Sequence, residues 1–111
     1  MKQRKDHKLV RDGIPAVIKA NGGSPKIYTL SNEEFKVEAR KKLVEEAEEV
    51  REAVSREDII KELADLEEVK MAVIEAYEIT PFEVEIARKA RLREVGAFAN
   101  KTYLNHVITS Q

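Results

Sequence analysis

Lys42-Leu-Val-Glu-Glu-Ala-Glu-Glu-Val50, answered by Glu62-Leu-Ala-Asp65, is the stretch on which the reading of this chain turns. Leu43, Ala47, Val50 and Val54 recur at helical spacing and form one apolar stripe. At about 100° per residue, Glu46 and Glu49 fall together on one flank of that stripe. Glu62 and Asp65 repeat the three-residue step beside a second stripe of Ile59, Leu63, Leu66, Lys70, Val73 and Tyr77. Packed antiparallel, the two helices set these four carboxylates against one another across their seam. At about 4 Å and an effective dielectric of about 20, each like-charged pair costs on the order of 4 kcal/mol. A solvated face spreads such charge into water, whereas a seam must protonate its acids or hold a cation. Spacing alone leaves both readings open, an ordinary salt-bridged face and a cation site. A site made only of carboxylates favours magnesium, manganese or calcium over zinc.

Outward from that stretch, capping signals divide the chain. Ser31-Asn-Glu-Glu34 is a capping box that opens a long helix running to about Val54. Ser55-Arg-Glu-Asp58 restarts the chain at once, and the second long helix runs to about Glu78. Thr80-Pro81-Phe-Glu83 opens a third helix, which ends near Gly96. Upstream, Asp12 is placed to cap a short helix with Pro15 in its first turn and Asn21-Gly22-Gly23 as its stop. Residues 24–30 read as an extended connection whose Ile27, Tyr28 and Leu30 cover a bundle edge, and residues 1–7 as mobile. Past Gly96, a tail carries Phe98, Tyr103, Leu104, Val107 and Ile108 for packing.

The expected class is all-α, one domain over residues 1–111, built on an antiparallel helical hairpin. A single hairpin cannot cover both apolar stripes, so a homodimer completing a four-helix bundle, or a homotetramer, is expected. The absence of cysteine excludes a disulfide scaffold, a thiol nucleophile and a zinc–cysteine site, and fits a cytoplasmic setting. A formal net charge of −1 argues against nucleic acid as the partner. No apolar run is long enough for a membrane span, and the basic start lacks the apolar segment of a signal peptide.

Glu45-Glu46-x-x-Glu49 followed by Glu62-x-x-Asp65 resembles the EExxE…ExxD signature of the MazG-like all-α nucleoside triphosphate pyrophosphohydrolases, which include phosphoribosyl-ATP pyrophosphohydrolase. The opening Lys8-Leu-Val-Arg-Asp-x-Ile-Pro15 is similar to the start of the house-cleaning branch, as is Leu63-Ala-Asp65 followed by Glu68-Val69. The likeness covers roughly residues 8–104. It implies cleavage between the α and β phosphates of a nucleotide, with Mg2+ or Mn2+ held by Glu46, Glu49, Glu62 and Asp65 as the catalytic acids. Glu45 lies well away from Glu46 on the helix and is given an outer or structural role.

Candidate phosphate donors are Lys8, Arg11, Lys89, Arg91 and Arg93, although Lys8 and Arg11 stand equally well as partners of the acidic middle. The branch carries an Arg-Gly-Gly-Phe-like turn where this chain reads Val95-Gly-Ala-Phe98, which leaves Arg91 or Arg93 to substitute. Removal of non-standard nucleoside triphosphates is the leading function. The rivals are phosphoribosyl-ATP hydrolysis in histidine biosynthesis and a non-catalytic helical assembly module. Glu57–Lys61 and Glu85–Lys89 have the order of ordinary helix pairs.

Overall fold

Serine at position 31 accepts from the Glu34 amide at 3.1 Å while the Glu34 carboxylate takes the Ser31 amide at 2.9 Å. This reciprocal box satisfies two of the orphan donors at the start of a helix. It also holds the Glu34 carboxyl below its ordinary value, chiefly through the Ser31 backbone amide. The computed structural model describes residues 7–110, and the helix opened by this box, α2, spans Asn32–Glu52. Three residues later Ser55 accepts from the Asp58 amide at 3.1 Å and starts α3, Arg56–Ala76. Before them lies α1, Ile14–Ala20, and after them α4, Pro81–Val95. Every regular element among the described residues is helical, as the composition and capping signals imply. The expected mobility of residues 1–6 lies outside the described residues.

Helix ends follow local stereochemistry. Gly22 takes a left-handed φ of 89° after α1, and the Gly23 amide returns to the Ile18 carbonyl at 2.9 Å. A Cβ at Gly23 would lie 2.5 Å from the Ile18 side chain, so the return needs glycine. The same closure ends α3, with Glu78 in the left-handed position and the Ile79 amide on the Ile74 carbonyl at 2.9 Å. It stops that helix at Ala76, two residues short of the expected end. Asp12 is not the cap of α1: the N-cap is Gly13 without a side-chain bond, because the Arg11 carbonyl already takes the Ile14 amide at 3.0 Å.

Residues Met1–Thr80 form one compact unit and Pro81–Gln111 a second. In the first, α2 and α3 pack as a hairpin across the short Ala53–Ser55 connection. The register is antiparallel: Glu46 meets Glu62 and Asp65 near the turn, and Arg40 meets Tyr77 at the far end. There Arg40 Nη1 donates to the Tyr77 hydroxyl at 3.3 Å, and Lys36 Nζ lies 5.5 Å from the ring centroid.

The inward faces coincide with the expected ones only in part. On α2 the covered positions include Phe35, Ala39, Lys42, Leu43, Glu46, Glu49 and Val50, while Ala47 faces out and Val54, expected in this helix, lies exposed in the connection beyond its end at Glu52. On α3 they are Glu62, Asp65, Leu66, Val69, Met71, Ala72, Val73, Ile74 and Ala76, and Ile59, Leu63 and Lys70 are exposed. Ala39, fully buried, and Ala72 and Ala76, half-buried, place small residues in the seam beside the acids. Ala39 and Ile74 are the only buried apolar residues among those described, and Ile27 and Tyr28 lie open instead of covering an edge. The second unit is α4 and its tail, in which Phe98, Tyr103, Leu104, Val107 and Ile108 are all exposed. Among the described residues, no helix is long and apolar enough to cross a membrane.

Candidate metal centre at the hairpin seam

The seam between α2 and α3 brings carboxylates from both helices together. One oxygen each from Glu46, Glu62 and Asp65 lies within 4.8 Å of the others. Glu46 is 7% exposed, and Glu62 and Asp65 are half-buried. Three of the four predicted acids are therefore brought together. The fourth, Glu49, stands one turn nearer the connection. There it lines an open pocket of ≈ 310 Å³ with Glu62, Glu52, Ala53, Asp58 and Lys61. Glu62 belongs to both the cluster and the pocket lining.

Burial pushes the Glu46 carboxyl above its ordinary value; Lys42 opposes this, and the charges of Asp65, Glu62 and Glu49 reinforce it. Three cations soften the repulsion. Lys42 Nζ lies 3.7 Å from Glu46 and 3.6 Å from Glu45. Lys61 Nζ lies 3.2 Å from Asp65 Oδ2 and 3.6 Å from Glu62. Its ammonium is held above its ordinary value, chiefly by the hydrogen bond to Asp65. Arg11 Nη2 donates to Asp65 Oδ1 at 2.9 Å, from 54 residues away. Of the two readings open for Arg11, this structure shows the acid partner. Lys8, in the same stretch, is half-buried.

Lys42 and Lys61 were not singled out from sequence as part of the centre. The signal for Lys42 was its step of three and four to Glu45 and Glu46, and for Lys61 its step of four to Asp65. Lys61 turns to Asp65 and Glu62 in place of Glu57, because two covered acids attract it more than one solvated acid. Lys89, Arg91 and Arg93 all lie on α4 in the second unit. Arg91 is paired there with Glu94, and Arg88 with Glu85 at 2.6 Å.

The donor set suits a hard divalent cation: oxygen ligands only, clustered, partly desolvated and mutually repelling. Bound there, such an ion would be held by Glu46, Glu62 and Asp65.

No individual curated protein matches the chain significantly, and neither does any solved structure. The profile of the phosphoribosyl-ATP pyrophosphohydrolase family matches residues 18–91, which is more than half of the sequence. The matched span takes in the whole α2–α3 hairpin and all four acids. The chain belongs to the phosphoribosyl-ATP pyrophosphohydrolase family.

Proposed function

We propose that this protein is a magnesium-dependent nucleotide pyrophosphohydrolase that splits the α–β phosphate bond of a non-standard nucleoside triphosphate into a monophosphate and pyrophosphate. The observation that carries the proposal is the convergence of Glu46, Glu62 and Asp65 in a partly desolvated seam, within a chain of this family. Magnesium, with manganese as substitute, supplies charge neutralisation of the polyphosphate and an activated water.

The chain's own residues do the rest. Glu46, Glu62 and Asp65 bind the cation, and Glu49, on the wall of the adjoining pocket, is the further acidic ligand on the substrate side. Lys61 and Arg11 stand beside these acids and are the nearest donors for phosphate oxygens. Lys8 lies in the same stretch as Arg11, and Lys89, Arg91 and Arg93 are the α4 candidates for the same role.

We assign the working form to a cytoplasmic homodimer or homotetramer in which two hairpins complete a four-helix bundle and residues 1–111 act as one functional domain. The support is thin burial: Val37, Val44, Ile60 and Leu63 are exposed on a hairpin that buries only Ala39 and Ile74 among its described apolar residues.

Phosphoribosyl-ATP is the second reading, and the matched family's description favours it. The opening at residues 8–15, which lies outside the matched span, favours the house-cleaning reaction. A panel of standard and modified nucleoside triphosphates together with phosphoribosyl-ATP, assayed for pyrophosphate release with and without Mg2+, decides between them. Metal-dependent release from a modified triphosphate is expected. Turnover of phosphoribosyl-ATP alone selects the second reading, and turnover of nothing leaves a helical assembly module.

A further inference from the structure

Asp65 is engaged on both of its oxygens, and the two partners differ in kind. Lys61 holds Oδ2 from one turn away on the same helix. Arg11 holds Oδ1 from the non-helical stretch ahead of α1, with a side chain that is 57% exposed. Around the cluster, Glu46, Glu62 and Asp65 are met by Lys42, Lys61 and Arg11, with Lys42 shared with Glu45. A divalent cation among the acids competes with the guanidinium for Asp65 and repels it. Lys61 is fixed to the helix that carries the acids. Arg11 comes from a separate, non-helical stretch, and its planar fork matches phosphate oxygens.

We propose that Arg11 is a displaceable counter-ion: its guanidinium occupies Asp65 Oδ1 in the ion-free chain, surrenders that oxygen on cation binding, and then serves as a donor to the nucleotide's phosphates. This rests on the cation site proposed above. It makes cation and nucleotide binding mutually favourable, because the nucleotide gives the released guanidinium a new partner. It also explains how a stretch far away in sequence from the acids participates in their chemistry.

The test is calorimetric titration of Mn2+ into wild type, Arg11→Gln and Arg11→Lys, with helicity checked by circular dichroism. It is read beside the Arg11 guanidinium 15N resonances with and without Mg2+. Arg11→Gln is expected to bind Mn2+ about two- to fivefold more tightly than wild type, the range open to a partly exposed ion pair, with Arg11→Lys in between. Mg2+ is expected to release the restricted guanidinium rotation in wild type, and Asp65→Asn to release it with no metal present. Equal or weaker Mn2+ binding by a folded Arg11→Gln overturns the inference and leaves the cation site standing, as does a guanidinium signal indifferent to Mg2+. Absence of Mn2+ binding in both wild type and Arg11→Gln removes the site and this inference together.

Discussion

Glu46 and Glu48 stand two residues apart on one helix and meet different neighbours. Glu48, half-buried, is met by Arg51 at 2.5 Å, a local pair like Glu33–Lys36, Glu38–Lys41 and Glu67–Lys70. Such pairs are exchangeable surface charge, each contributing at most about 1 kcal/mol. Glu46 lies in the seam, its carboxyl raised by burial and by three neighbouring acids. Both acids come from one Glu-rich run with helical spacing. The difference is therefore one of facing: a carboxylate becomes chemically committed when its helix turns it toward other carboxylates and away from water.

The largest expected effect breaks the seam and spares the surface. Glu46→Ala, Glu62→Ala or Asp65→Ala should lower metal-dependent pyrophosphate release by more than about 100-fold, beyond what outer partners of a metal site typically cost. Glu48→Ala and Glu67→Ala should stay within about twofold, since exposed pairs of this kind are nearly neutral. Steady-state kinetics on the five variants checks the contrast.

Next in size is stabilisation by the ion. At a concentration about 100 times its dissociation constant, Mg2+ should add about 2.7 kcal/mol to the wild type. A chelator should remove that gain, and Asp65→Ala should never show it, as thermal melts would reveal.

Packing sharpens the same comparison. Ala39→Leu, at a fully buried seam position, should cost about 1–3 kcal/mol by overpacking. Ala47→Leu, on the outward face, should change stability by less than about 0.5 kcal/mol. Denaturant midpoints separate the two.

Smaller again is the pH response. Glu46 holds its proton more tightly folded than unfolded, so the stability it contributes is complete below the ordinary glutamate value of 4.5. It is lost as pH rises through the raised folded value. Glu46→Gln should flatten that decline and stabilise the ion-free chain at neutral pH by about 0.5–2 kcal/mol, the gain usual for relieving one unfavourable feature. Because the proton and the cation compete for one carboxylate, wild-type cation affinity should rise with pH across the same window.

The helices were legible because their ends are written locally. Ser31 and Ser55 declare their caps, and Asn21-Gly22-Gly23 declares its stop. The early end of α3 was not legible, since a glutamate at Glu78 occupies a conformation that glycine usually announces. The acids were legible as a pair of three-residue steps set across a helical seam, whereas the apolar positions beside them were only partly legible. Periodicity weighs apolar residues and so favoured Ala47 and Val54, whereas Ala39 is the fully buried position of α2 and the helix ends before Val54. The Arg11–Asp65 bond could be offered only as one of two possibilities, because a contact across 54 residues leaves no local periodicity to read.

Paramagnetic mapping with Mn2+ tests the centre most directly. On an isotopically labelled chain, the ion should broaden the amide signals around Glu46, Glu62 and Asp65 first and leave those of Glu33 and Glu78, at the far end of the hairpin, sharp until much higher concentrations. Broadening spread evenly over seam and surface glutamates would show that the converging carboxylates hold nothing selectively, and would contradict the account.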